Sequence, residues 1–237
     1  MTARPELGSW QDWARQRLVF TEAVRGGPLV WPAGGEHLAG DPLGPVRHAH
    51  DDAAEYYFVL SGECLIEVGG EERVATTNEL VFIPANAPHN LLGEVGGEDA
   101  WVFVLVAPNF AHNKWRTSDF LPGTEDLRMT ISCPLEDDST ARSHPFRASV
   151  ERFGRDEPKL VVSDTAELVY LVIDGRVHTR VGLLSGALGP GDYAHVRRDV
   201  EHEFSSLTEE STVLQFDCEF LPFGGVDLGP GREKYAG

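Results

Sequence analysis

Basic residues and long apolar runs are both scarce in this 237-residue chain, and each shortage excludes a class of function. There are 20 Lys and Arg residues against 38 Asp and Glu residues, which gives a formal net charge of −18. Such a surface repels phosphate backbones and anionic lipid, so we expect no nucleic-acid partner and no membrane partner. No apolar run approaches the roughly 20 residues that cross a bilayer.

Cysteine is also rare, and the N-terminus lacks the features of a secretion signal. The three cysteines, Cys64, Cys133 and Cys218, are far apart and form no C-x-x-C pair, which argues against a disulfide framework and a thiolate zinc site. We expect each to be a small buried hydrophobe. The first twenty residues have no apolar core and no small-residue cleavage site. The predicted location is therefore the cytoplasm.

Short strand signals are what the sequence has in abundance. EYYFVLSG, ECLIEVGG, ELVFIPA and AWVFVLVAP are rich in aromatic and β-branched residues, and turns of Gly, Asn and Pro separate them. Their spacing of about eight to twelve residues is typical of an all-β barrel or sandwich. No connection within this series is long enough for a crossover helix, so the predicted sheets are antiparallel.

The strand pattern recurs in the second half of the chain. LVYLVIDG aligns with EYYFVLSG, and GDYAHVRRDVEHEF aligns with NELVFIPANAPHNL. The distance from the glycine to the last histidine is the same in both copies, from Gly62 to His89 and from Gly175 to His202. This regularity indicates an internal duplication.

The duplication divides the chain into five predicted segments. They are an N-terminal segment that packs on the barrels (1–40), a first barrel (41–108), a linker with a short helix (109–150), a second barrel (151–222) and a tail (223–237). Within the first segment we predict a helix around Trp10–Arg17 and a strand near Gly27–Trp31.

Two histidines and a glutamate stand close together where the first barrel begins. In the stretch HAHDDAAEYYFVLSG, His48 and His50 are two residues apart, so on a strand both side chains point to one face. Glu55 begins the next strand, and His89 follows the Pro-rich turn PANAP. Three neutral imidazoles and one carboxylate suit a divalent first-row metal. The alternative is that these residues are only a polar edge of the sheet.

These spacings resemble the two motifs of the cupin family. His48-x-His50-x4-Glu55-x6-Gly62 is similar to the first motif, and Asn78-x5-Pro84-x-Asn86-x2-His89 is similar to the second. Asparagine replaces the usual glycine at 78 and 86, and Asn tolerates left-handed backbone better than other non-glycine residues. Gly44 also lies closer to the first histidine than the motif usually has it.

The resemblance covers about 41–220 and implies an all-β bicupin, with two tandem antiparallel jelly-roll barrels in one chain. It implies that His48, His50, Glu55 and His89 bind one divalent transition metal. Iron is favoured, and Mn, Ni, Co and Zn stay open. All four residues at matched spacing in one chain favour the metal site over the polar edge.

Strand alternation adds one further candidate and one residue of lesser interest. If Glu55 points inward, Tyr57 does as well, whereas Tyr56 and Phe58 face the other layer. We predict catalytic roles for Tyr57 and Glu55, although a core tyrosine with a locally satisfied hydroxyl explains Tyr57 equally well. Phe82 could line the wall of the pocket or fill it, and we favour filling.

The second copy lacks the ligand set. The alignment places Val161, Ser163 and Leu168 at the positions of the first two histidines and the glutamate, and only His202 remains. We therefore predict a structural second barrel. One weaker alternative is a cluster of His178, His195 and His202, and another is a metal-free ligand pocket lined by Arg180, Arg197 or His202. His112, outside both barrels, is predicted to lie on the surface of the linker.

A metal with four protein ligands keeps positions for a chelating substrate, which indicates an enzyme. We predict a dioxygenase-type oxidoreductase acting on a small metal-chelating metabolite, with O2 as a second substrate. The alternatives are an isomerase, lyase or hydrolase that uses the metal as a Lewis acid, and a non-catalytic ligand-binding or regulatory cupin. A homodimer is compatible with the sequence.

Overall fold

Strands and turns make up all the secondary structure that is described. The computed structural model describes residues 6–8, 19–20, 25–31, 48–50, 53–107, 115–117, 129–132, 141–143, 146–155, 158–164 and 166–219. These residues form 21 strands, β1 to β21, in four antiparallel sheets. The predicted all-β fold is thereby confirmed. None of the described segments is a helix that could cross a membrane.

Two sheets form the N-terminal barrel. One sheet has six strands, and the other has five. In spatial order the first contains β12 (Thr130–Ser132), β8 (Leu80–Ile83), β5 (Ala54–Ser61), β10 (Ala100–Ala107), β3 (Arg25–Trp31) and β2 (Val19–Phe20). The second contains β11 (Trp115–Thr117), β4 (His48–His50), β9 (His89–Glu94), β6 (Glu63–Val68) and β7 (Glu71–Thr76).

The C-terminal barrel is built in the same way from a six-stranded and a four-stranded sheet. The larger sheet contains β1 (Glu6–Gly8), β19 (Tyr193–Val196), β16 (Ala166–Asp174), β21 (Glu210–Glu219), β14 (Phe146–Gly154) and β13 (Ala141–Ser143). The smaller sheet contains β15 (Lys159–Val161), β20 (His202–Ser206), β17 (Val177–Val181) and β18 (Leu184–Leu188).

Three apolar cores hold this arrangement together, one inside each barrel and one between the barrels. Tyr57 and Val59 belong to the core inside the first barrel. Tyr56 and Phe58 belong to the core between the barrels, which also contains Phe216 from the second barrel. The predicted alternation along β5 is therefore confirmed, and burial of both strand faces explains its continuous apolar sequence.

Strands outside the predicted barrel segments complete both barrels. The N-terminal strand β1 pairs with β19 of the second barrel, whereas β3 pairs with β10 of the first. Where the segment 109–150 is described, it consists of strands, and these pair with β4, β8 and β21. The predicted helix around Trp10–Arg17 lies outside the described residues, and the predicted domain boundaries stay a prediction.

The internal duplication is visible in backbone pairing and in backbone angles. His48 pairs with His89 in the first barrel, and Val161 pairs with His202 in the second, at the same offset in sequence. The left-handed positions match too. They are Gly62, Asn78 and Asn86 in the first barrel and Gly175, Gly191 and Asp199 in the second.

The motif glycine Gly62 cannot be replaced without strain. Its φ is +76°, and an added Cβ would lie 2.5 Å from the carbonyl oxygen of Asp99. We expect Gly62→Ala to lower the free energy of unfolding by about 3 kcal/mol, because the left-handed backbone and the clash both contribute. Gly70→Ala is the matched control, since Gly70 has a φ of +82° but nothing within 4 Å of the added Cβ. It should cost only about 1 kcal/mol. Urea midpoints measure both, and equal shifts would contradict the steric argument.

Candidate metal centre

Three strands of the first barrel bring the four predicted ligands together. β4 carries two histidines on alternate positions, and His48 pairs directly with His89 at the start of β9. Glu55 is the second residue of β5 and projects toward them from the opposite sheet. The ligand atoms of the four side chains all lie within 4.8 Å of one another. Within the described part of the chain, this is the one cluster of this kind.

The distances inside the cluster are those of a shared centre. A single oxygen of Glu55, Oε2, lies 3.1 Å from Nε2 of His50 and 2.6 Å from Nε2 of His89. The His48 ring lies 4.3 Å from the His89 ring and 5.0 Å from the His50 ring, measured between centroids. His50, Glu55 and His89 are buried, and His48 is half-buried. The cluster therefore sits inside the barrel and opens to solvent on the His48 side.

The donor set fits a metal cation, and His89 shows why. Its Nδ1 donates to the carbonyl oxygen of Ala87 over 2.8 Å, since a carbonyl can only accept. In the neutral ring, Nε2 is then a bare acceptor, yet it faces the Glu55 carboxylate at 2.6 Å. Two acceptors at this distance need a proton or a cation between them. Two ligand atoms that each lie about 2.0–2.2 Å from one ion, at a right angle, are about 3 Å from each other, so the separations of 2.6 Å and 3.1 Å are close to those of a metal-bound set.

Charge and hydrogen bonding keep Glu55 ionised and Tyr57 protonated. Burial alone would raise the pKa of the Glu55 carboxyl, but His89 and His50 bring that pKa well below its usual range. Burial, together with the charge and hydrogen bond of Glu55, raises the pKa of Tyr57 well above its usual value. The Tyr57 hydroxyl therefore donates to the Glu55 carboxylate and orients it.

The turns before and after β8 each contain an asparagine in place of the usual glycine. Asn78 has a φ of 71° and Asn86 a φ of 64°, so both adopt the left-handed conformation that the sequence predicts for them. The backbone N–H of Asn86 donates to the carbonyl oxygen of His50 over 2.9 Å. This bond ties the turn to β4 and fixes the distance between the ligands on the two elements.

Aliphatic side chains flank the cluster. Val106 pairs with Glu55 and Val104 pairs with Tyr57 on one side, while Ile83 and Val81 pair with the same residues on the other. All four are buried. The polar centre is thus set in an apolar wall, which lowers the local dielectric and strengthens electrostatic contacts there.

Phe82 and the histidines of the second copy lie outside the cluster of four side chains. Phe82 packs against the core between the barrels and not in the pocket of the first barrel, because it follows Val81 on β8 and so points to the opposite face of the sheet. The three histidines of the second copy do not form a cluster. His178 contacts Ser185, His195 contacts Glu167, and His202 contacts Tyr170.

Two further predicted residues, Arg180 and Arg197, form ion pairs with glutamates of the second barrel. Arg180 pairs with Glu201 and Glu203 on the exposed side of its sheet. Arg197 lies 3.9 Å from Glu167. His112 and Cys133 lie outside the described residues, whereas Cys64 and Cys218 are buried free thiols, as predicted.

One contact was not anticipated, although the duplication could have revealed it. Tyr170 occupies the position of Tyr57 in the second copy, and its hydroxyl lies 2.8 Å from Nε2 of His202. The buried Glu167–His195 pair was also missed, because nothing in the local sequence indicates that β16 and β19 are neighbours.

Comparisons with known proteins agree with the fold. The family model of the cupin domain matches residues 34–106. A substituted salicylate 1,2-dioxygenase from Pseudoaminobacter salicylatoxidans is similar in structure, with a TM-score of 0.70, 12% identity, and coverage of 91% of this chain and 84% of that chain. Its complex with gentisate gives a TM-score of 0.68 at 13% identity, and covers 91% of this chain and 82% of that chain.

A further similar structure is the YlbA protein from E. coli, with a TM-score of 0.61, 10% identity, and coverage of 85% of this chain and 81% of that chain. A search of curated protein sequences gave no match. At these identities the structural likeness establishes the fold.

Proposed function

We propose that this chain, whose residues 34–106 match the cupin-domain model and whose fold consists of two cupin barrels, is a metal-dependent enzyme acting on a small chelating organic molecule in its N-terminal barrel. We propose a dioxygenase-type oxidation as its reaction. His48, His50, Glu55 and His89 would hold the metal.

One observation carries this proposal, namely the convergence of a carboxylate oxygen on two imidazole Nε2 atoms in an apolar wall. A purely structural Glu–His contact needs one histidine, whereas this cluster gathers three. One carboxylate among four ligands leaves a divalent ion with about one net positive charge, which favours enolate, catecholate or carboxylate ligands. A metal bound here would supply a Lewis-acid centre and, if it is iron, the redox chemistry that O2 requires.

The protein's own groups have separate parts in this proposal. Glu55 lowers the charge of the centre and accepts the hydrogen bond of Tyr57. The hydroxyl of Tyr57 orients that carboxylate through this hydrogen bond. Val104 and Val106 exclude water from the side of β10.

Support for oxidation, rather than another cupin reaction, comes from the two-barrel neighbours. Salicylate 1,2-dioxygenase shares the fold over most of both chains, and one of its structures holds gentisate. An aromatic chelator of that kind combines an anionic head with an apolar body. The wall of valine and isoleucine around Glu55 suits the same combination. Location in the cytoplasm and a homodimer stay predictions.

The experiment is oxygen consumption by protein reconstituted with single metals. Apoprotein is loaded with Fe(II), Mn(II), Ni(II), Co(II) or Zn(II) and given catechols, hydroxybenzoates and 1,3-diketones, with and without O2. Substrate-dependent O2 uptake by the Fe(II) form, absent in His50→Ala, is the expected result. Turnover without O2 in the Zn(II) or Mn(II) form would indicate that the reaction is Lewis-acid catalysis and not an oxidation. Ligand binding without turnover would identify a non-catalytic module.

Removal of the Tyr57 hydroxyl should separate turnover from metal binding. Tyr57→Phe leaves all four ligands in place but deletes the donor to Glu55, so we expect the metal to stay bound while kcat falls by about 10- to 100-fold. Metal content and steady-state kinetics are measured on the same preparation. Tyr170→Phe, the matching change in the second barrel, should leave kcat unchanged. An unchanged kcat in Tyr57→Phe would make Tyr57 a core residue only.

A further inference from the structure

The C-terminal barrel preserves the backbone of the metal centre, although it lacks three of the ligands. Val161 pairs with His202 as His48 pairs with His89. The N–H of Asp199 donates to the carbonyl oxygen of Ser163 over 2.7 Å, in the same way that Asn86 is bonded to His50.

His202 also keeps the pose of a ligand. Its Nδ1 donates to the carbonyl oxygen of Val200 over 3.1 Å, which repeats the contact of His89 with Ala87. Its Nε2 is therefore the acceptor that points into the barrel, as in the first copy. Burial lowers the pKa of His202, so the ring is neutral and this lone pair is available.

A tyrosine hydroxyl is hydrogen-bonded to that lone pair. The hydroxyl of Tyr170 donates to Nε2 of His202 over 2.8 Å, and burial raises the pKa of this tyrosine, so the proton stays on the phenol. In the first barrel the corresponding tyrosine donates to Glu55 instead. Leu168 stands where Glu55 would be, so Tyr170 has no carboxylate to bind at that position.

Aromatic rings fill the neighbouring space. Phe204 lies 4.4 Å from the Tyr170 ring and 5.8 Å from the Phe153 ring, measured between centroids. Leu91 has the position of Phe204 in the first barrel. This packing gives the second barrel a closed apolar interior around the histidine.

We propose that the C-terminal barrel is a dismantled centre for a divalent first-row metal, closed by the hydrogen bond from Tyr170 to His202. Three side chains, Val161, Ser163 and Leu168, separate it from a second working site. The barrel keeps the metal away from His202 because the tyrosine satisfies the one ligand that remains. This proposal goes beyond the proposed function and holds whether or not the first site is catalytic.

The test rebuilds the site in a chain whose first site has been disabled. In a His89→Ala background, we combine Val161→His, Ser163→His and Leu168→Glu, and titrate the protein with Co(II), whose absorption reports the ligand geometry. The expected result is one bound Co(II) per chain, and its loss when His202→Ala is added as the matched control. Adding Tyr170→Phe to the rebuilt chain should leave Co(II) bound, because the carboxylate introduced at position 168 takes the hydrogen bond of Tyr170, as Glu55 takes that of Tyr57, and frees Nε2 of His202. A folded rebuilt chain without Co(II), or one that keeps it after His202→Ala, would overturn the proposal.

A smaller change decides the matter if the buried carboxylate prevents folding. Val161 is half-buried and directly opposite His202, so Val161→His alone creates a cross-strand pair of imidazoles. In the His89→Ala background, this variant should bind Cu(II) more tightly than its parent, and Tyr170→Phe should strengthen that binding by about tenfold. An affinity for Cu(II) that neither substitution changes would show that Tyr170 does not block a former ligand atom.

Discussion

Glu55→Ala and His50→Ala should each purify with less than about one tenth of the metal found in the unsubstituted chain, and both should still unfold cooperatively. Each change removes one of four ligands, and even loss of a residue that only supports a ligand costs about 10- to 100-fold in affinity. Folding should survive because the three apolar cores, rather than the ligands, supply most of the stability. Elemental analysis and thermal unfolding measure the two effects separately.

The second barrel offers a matched control for this prediction. Glu167 is a buried carboxylate whose Oε2 lies 3.0 Å from Nε2 of His195, with no further histidine in the pair. Glu167→Ala should therefore lower stability while it leaves the metal content unchanged. The polar-edge alternative predicts the same behaviour for Glu55→Ala. Full metal occupancy in Glu55→Ala or His50→Ala would show that the cluster is structural.

His89→Ala should release the metal, whereas His202→Ala should retain it. The two histidines occupy the same place in their barrels, and both are buried. In each, Nδ1 donates a hydrogen bond to a backbone carbonyl oxygen. They differ in what meets Nε2, which is a carboxylate for His89 and a phenol for His202. Comparison of the two variants therefore separates the effect of losing a metal ligand from the effect of losing a buried histidine. Metal content after dialysis is the measurement.

The second variant should show its effect in stability instead. His202→Ala deletes a buried ring and leaves the Tyr170 hydroxyl without its acceptor, which should cost about 2–4 kcal/mol in free energy of unfolding. Loss of the metal in His202→Ala, with the first barrel still folded, would mean that the second barrel contributes to the centre.

Local sequence was sufficient for the strands and for the cluster of four side chains that we propose as ligands, because both depend on short-range patterns. Strand alternation correctly assigned Tyr56 and Tyr57 to opposite faces of β5. The two asparagines were expected in left-handed turns, and they are there because a short polar side chain tolerates that conformation. The equal spacing of the two copies predicted which residue replaces each ligand.

Pairings between distant segments could not be obtained in the same way. β1 pairs with β19, although the two lie at opposite ends of the chain, and such a choice depends on which barrel edge is left open rather than on local propensity. The strands within 109–150 are short and polar, so their sequence resembles a linker. The bond from Tyr170 to His202 could be inferred only by comparing the two copies, because it depends on the loss of the carboxylate at the position of Glu55.

The central claim is that the first barrel holds a metal and the second does not, and metal content tests this most directly. The unsubstituted chain, purified after growth in metal-replete medium and dialysed against metal-free buffer, should contain about one equivalent of a first-row transition metal. A content near zero would contradict the assignment of His48, His50, Glu55 and His89 as ligands. Two equivalents would contradict the closure of the second barrel.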